Sequence, residues 1–100
     1  MIYVFDLDGT LCTHDPDGKL SRVEPYKERI EMVNKLYDEG HDIIIDTARG
    51  YKTGINWREL TEKQLKDWGV KYHMLRTGVK IYADYYIDDK GIRDTDFFKP

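Results

Sequence analysis

Apolar residues in this chain come in short runs that end at acids: Ile2-Tyr3-Val4-Phe5 leads into Asp6, and Ile43-Ile44-Ile45 leads into Asp46 and Thr47. Such brief runs of β-branched and aromatic residues, without polar alternation, predict buried strands of a parallel sheet. Between them Tyr26, Ile30, Val33, Leu36 and Tyr37 recur at helical spacing, with Pro25 suited to the first helical position and Gly40 to the stop. A second helix is predicted to begin near Asn56, or at Thr61, where Thr61-Glu62-Lys63-Gln64 matches a capping box, and to end at Gly69. Lys71 to Leu75 and Tyr82 to Ile87 are the remaining strand candidates, the second carrying the better apolar run and ending at Asp88-Asp89. The stretch from Cys12 to Glu24 is polar, and Asp15-Pro16-Asp17-Gly18 signals a turn, which predicts a small excursion or hairpin.

Strands alternating with helices imply an α/β fold, a mainly parallel sheet flanked by helices, with a site at the carboxyl ends of the strands. A chain of 100 residues builds one hydrophobic core, so residues 1–100 are expected to form a single domain. The net charge of -3 is spread without a basic block, which argues against a nucleic-acid partner. No apolar run approaches the roughly 20 residues of a membrane span, and Met1 leads straight into a strand without a basic leader. The expectation is therefore a cytoplasmic protein with no membrane partner. Cys12 stands alone and has no disulfide partner within the chain, in keeping with a reducing compartment.

The candidate chemistry lies where the apolar runs stop. In Asp6-Leu7-Asp8-Gly9-Thr10-Leu11, two carboxylates one residue apart project to the same side of an extended backbone, where they can share a metal or a substrate. An isolated Asp-x-Asp is more often a strand exit, but this whole hexapeptide closely resembles the first motif of the haloacid dehalogenase (HAD) superfamily. That resemblance implies a Rossmann-like HAD domain in which Asp6 attacks phosphorus and Asp8 acts as general acid and base. It also implies Thr47 as the hydroxyl that bonds the transferring phosphoryl group, and Lys80 as the cation beside nucleophile and phosphate, with Lys71 and Lys90 as competitors. Asp88 would bind Mg²⁺ together with Asp6 and Asp8, the latter through its backbone carbonyl, while Asp89 supports from behind. Gly9, Thr10, Ala48 and Arg49, flanking the strand ends, are expected to touch substrate. The likeness runs from Ile2 to about Phe98 and is greatest to small capless phosphatases found with carbohydrate and capsule biosynthesis enzymes. One departure is Ile81 after Lys80, where the family more usually has Pro.

The chemistry explains these residue types. A phosphate monoester is a dianion that repels a carboxylate, so cations must offset its charge before a nucleophile can approach. A second carboxylate for proton transfer suits phosphate esters, and HAD dehalogenases lack it. His14, His41 and His73 have no ligand spacing and read as surface or structural residues. Trp57, Trp68, Tyr26 and Tyr37 read as core, and Cys12 has no histidine to activate it. The resemblance implies a Mg²⁺-dependent phosphatase without a cap, acting on a small phosphorylated substrate, a sugar phosphate foremost. Two rivals stand beside it: a nucleic-acid 3′-phosphatase of the polynucleotide-kinase type, and a non-catalytic binding module. Tyr82, Tyr85 and Tyr86 are available to an interface between copies, so a homo-oligomer is a further expectation.

Overall fold

The computed structural model describes all residues from Met1 to Pro100. Strand β1 (Ile2–Phe5) is followed by an excursion with one turn of 3₁₀ helix (Leu20–Arg22), helix α1 (Lys27–Asp38), strand β2 (Asp42–Thr47), helix α2 (Arg58–Asp67), strand β3 (Met74–Thr77) and a short α3 (Asp94–Phe97). The three strands are parallel in the order β1-β2-β3, with Tyr3 opposite Ile43 and Ile45 opposite Leu75. This is a small α/β domain of the Rossmann-like kind, and β2 lies at its centre.

Both long helices end where glycine permits a left-handed turn. At α1, Gly40 has φ +93°, its amide bonds to Tyr37 and the His41 amide reaches back to Leu36. At α2 the same pattern recurs with Gly69, φ +71°, and the Val70 amide on Leu65. This double closure satisfies carbonyls the helix would otherwise leave open.

The sheet is covered on one face. Phe5, Ile43, Ile45 and Leu75 join Ile30 and Val33 of α1 and Leu65 of α2 in one buried cluster, and Phe97 and Phe98 pack against it at the chain's tail. Leu7 and Leu11, from the loop after β1, are fully buried in the same cluster. On the other face Ile2, Val4 and Met74 are exposed, so the strands are not the doubly covered elements their apolar runs suggest.

Three expectations are corrected. The predicted strand at Tyr82–Ile87 does not form: no backbone–backbone hydrogen bond involves residues 79–92, and Ile87 is fully exposed. A strand exists only through its ladder, and here the Tyr86 hydroxyl donates to the Ile81 carbonyl, curling the segment on itself. The third strand is Met74–Thr77, starting three residues later than Lys71, because the His73 ring and amide occupy the approach by bonding Ile43. Thr61 and Gln64 are not a capping box: α2 starts at Arg58 with Trp57 before it, and both polar side chains turn inward. The excursion does close as a hairpin neck, with the Thr13 amide on the Glu24 carbonyl and the Tyr26 amide on Leu11.

Candidate active site

The loop after β1 is shaped around one carbonyl. The amides of Thr10, Leu11 and Cys12 all converge on the Leu7 oxygen at 2.8–3.2 Å, and the Gly9 amide bonds the Cys12 carbonyl at 2.7 Å. Gly9 sits at φ +84°, a left-handed conformation that favours glycine, and a Cβ there would have to push the His14 ring aside. With Leu7 driven into the core, the flanking Asp6 and Asp8 side chains face a cavity of about 490 Å³. Thr47, Ala48, Arg49 and Lys80 line the same cavity, at the carboxyl ends of β1 and β2 and on the stretch after β3.

Each carboxylate has its own cation. Asp6 accepts from Thr10 Oγ1 at 3.0 Å and faces Lys80 Nζ at 3.2 Å. Asp8 is gripped on both oxygens by Arg49, Nε at 2.9 Å and Nη2 at 2.8 Å, the fork geometry in which guanidinium and carboxylate pair best. The Arg49 side chain is only 2% exposed, and Nη1 donates to Thr61 Oγ1 at 3.0 Å and to Gln64 Oε1 at 2.7 Å. Gln64 in turn donates to the Leu20 carbonyl of the excursion. Arg49 is therefore the hub of a buried polar network, with Asp8 on one side and α2 on the other. Thr61 and Gln64 were missed as site residues, although two polar residues three apart on the inward face of a helix are a legible sign of a buried partner.

Thr47 ends β2 almost fully buried, its hydroxyl accepting the Arg49 amide at 3.3 Å. Of the competing lysines, Lys71 pairs with Asp38 on the surface, and Lys90 lies on the open segment. Cys12 touches Asp8 at 3.5 Å, but burial, and then the nearby Asp8 charge, push its thiol from an ordinary 9.0 up to about 12. It stays a neutral thiol, unsuited to nucleophilic attack. His41 and His73 make structural contacts, to the amino terminus and to the Ile43 amide. His14 and Trp57, by contrast, line the cavity, where surface and core roles were expected.

Asp88 and Asp89 do not stand with the others. Neither lines the cavity, and no three His, Cys, Asp or Glu side chains converge as a metal cluster. The Asp88 carboxyl is fully exposed and is held below its usual range, chiefly by the Lys90 amide that it accepts. The two carboxylates that do face the cavity are hard oxygen donors of the kind Mg²⁺ takes, usually one or two from protein with the remaining positions on water and phosphate. Charge points the same way. Asp6 with Lys80 and Asp8 with Arg49 leave the paired groups neutral, so a bound phosphate dianion would bring two negative charges that these residues do not balance.

The family model for haloacid dehalogenase-like hydrolases matches residues 3–95. The chain belongs to that family. A solved structure from Vibrio cholerae superposes on 99% of this chain and 88% of its own, with a TM-score of 0.82 and 26% sequence identity. A chain in the structure of a Pnkp1/Rnl/Hen1 complex superposes on 88% of this HAD-like hydrolase at a TM-score of 0.62. At 22% identity that likeness is one of fold, and this chain spans 30% of that one. No curated protein matches the chain. No helix of the hydrolase is long and apolar enough to cross a membrane.

Proposed function

We propose that this HAD-like hydrolase is a phosphomonoesterase that cleaves small phosphorylated metabolites, sugar phosphates foremost, through an aspartyl-phosphate on Asp6. The observation that carries the reading is the pairing at the cavity floor: two carboxylates side by side, each with its own cation. Asp6 is the more exposed, and one oxygen, turned to the cavity and flanked by Lys80, attacks phosphorus in line with the ester oxygen. The P–O ester bond breaks as the Asp6–phosphorus bond forms; for Asp8 to protonate the departing oxygen, one of its oxygens must turn from Arg49 to the substrate and take up a proton from solvent, which it then gives to that oxygen. Water then attacks the acyl phosphate, Asp8 takes the proton from that water, and inorganic phosphate leaves with Asp6 restored. Arg49 fixes the direction in which Asp8 presents its oxygens, and Thr47 and Lys80 supply a hydrogen bond and a positive charge to the phosphoryl oxygens.

Mg²⁺ is the cofactor this reading takes, held by Asp6 and Asp8, and when bound it offsets the charge of the substrate dianion. Asp88 joins that site only through a shift of the residues after Tyr86, which make no backbone–backbone hydrogen bond as far as Ile92. The test is turnover of a generic aryl phosphate by the wild type and by Asp6→Asn, with Mg²⁺ and with EDTA. Turnover that needs both Mg²⁺ and Asp6 supports the reading. An active Asp6→Asn protein, or full activity in EDTA, would refute the mechanism. A 3′-phosphorylated oligonucleotide preferred by more than about tenfold over sugar phosphates, with rates falling steeply in salt, would replace the metabolite with nucleic acid.

A further inference from the structure

The cavity of about 490 Å³ is several times the volume of a phosphoryl group and lies within the range, roughly 300–1,000 Å³, that encloses a whole metabolite. Its floor handles the phosphate, so its walls must meet the leaving half. Three of those wall residues are aromatic, Trp57, Tyr82 and Tyr86, and one is a cation of a different kind from those on the floor. Arg49 and Lys80 are each bound to a carboxylate, whereas Lys52 has none within ion-pair distance. Its ammonium rests 4.2 Å from the centre of the Tyr82 ring, a contact weaker than a charge-assisted hydrogen bond and readily exchanged for one.

The loop that carries Lys52 is built. The Gly54 amide bonds the Gly50 carbonyl at 2.9 Å and the Ile55 amide bonds Thr53 Oγ1 at 3.2 Å. Gly50 has φ +87°, and a Cβ there would run into the Ile55 carbonyl, so the turn closes only with glycine. Lys52 is thus held at the cavity wall by its backbone, while its charge stays unspent.

We propose that Lys52 recognises a carboxylate on the leaving half of the substrate, so that the preferred substrates are phosphomonoesters of sugar acids and related hydroxy acids. The proposal rests on the phosphomonoesterase reading of Asp6 and Asp8. Lys52 is the one lining lysine or arginine without a carboxylate partner, and the wall also carries Asp15, whose carboxylate accepts only the Lys19 amide; that negative charge and the protein's net -3 disfavour a second phosphate, so Lys52 matches a single carboxylate better.

The experiment compares 6-phosphogluconate with glucitol 6-phosphate, which differ only in a terminal carboxylate against a hydroxymethyl group, and repeats the comparison with 3-phosphoglycerate and glycerol 3-phosphate. Wild-type kcat/KM should favour the acid of at least one pair by about fivefold, the value of a good solvent-accessible ion pair, chiefly through KM, and the preference should fade with salt. Lys52→Met should bring that ratio to about one, and Lys52→Arg should keep it. A wild-type ratio near one in both pairs, or a preference that survives Lys52→Met, overturns the proposal. Fructose 1,6-bisphosphate preferred over both acids overturns the carboxylate in favour of a second phosphate. The same pairs measured by calorimetric binding to Asp6→Asn read the charge preference without turnover. A Lys52-dependent preference in binding with no hydrolysis by the wild type would therefore sink the phosphatase reading and leave the role of Lys52 standing.

Discussion

Two acid pairs follow apolar runs in this chain, Asp6 and Asp8 after β1 and Asp88 with Asp89 after Ile87, and the fold treats them in opposite ways. In the first pair a leucine separates the acids. Leu7 is fully buried, so the chain is pinned between the two carboxylates and both must face the cavity. In the second pair the acids are adjacent and the neighbouring Ile87 is fully exposed, so nothing in the core fixes where either carboxylate points. A buried residue between two polar ones gives them orientation, and adjacency alone does not.

The contrast can be broken most severely at Arg49. Arg49→Met leaves the buried Thr61 and Gln64, and Asp8 at the cavity edge, without their shared partner, and removing one side of a largely buried ion pair typically costs about 3–5 kcal/mol. Chemical denaturation should show a loss of that order, with turnover reduced together with stability. A loss under about 1 kcal/mol would mean that water reaches the network and that it is not the clamp described here.

Next comes the pin itself. Leu7→Ala should cost about 2–5 kcal/mol by the same measurement, because the side chain is fully buried in the core cluster and its removal leaves a cavity that neighbours fill only in part. A change near zero would place the order of the loop in its hydrogen bonds to the Leu7 carbonyl instead of in the side chain.

The smallest effect on stability belongs to the second pair. Asp88→Asn should leave the unfolding transition where it is in the wild type, as expected for a fully exposed side chain whose polar contacts are local, chiefly the Lys90 amide. If Asp88 nevertheless joins Mg²⁺ in the working enzyme, the same variant should need several-fold more Mg²⁺ for half-maximal turnover. An Mg²⁺ titration that is unchanged would remove Asp88 from the site, and a large loss of stability would overturn the picture of an open segment.

What could be read from sequence follows the same division. Asp6, Asp8 and Thr47 were legible because their positions are set by apolar runs that find partners close in the chain, β1 against β2 with α1 over both. Lys80 was legible by resemblance and faces Asp6 from the far side of the cavity. Arg49 was expected only to touch substrate because a charged residue in a loop is usually solvated, and Thr61 and Gln64, distant in sequence, reveal that this one is enclosed. Tyr82–Ile87 has strand composition, but composition does not supply the neighbouring edge on which a ladder depends.

Arg29 joins parts of the molecule that the sequence keeps far apart. Its guanidinium donates to the Thr10 carbonyl and to Asp94 of α3, and it lies over the rings of Tyr26 and Phe98. The hydroxyl of that same Thr10 bonds Asp6. Docking of the tail and ordering of the Asp6 loop thus share one residue, and linkage requires any coupling between them to be mutual. Whatever steadies the Asp6 loop on binding will hold the last helix more firmly to the body of the protein, and by the same free energy a tail pulled away will weaken what the loop can hold.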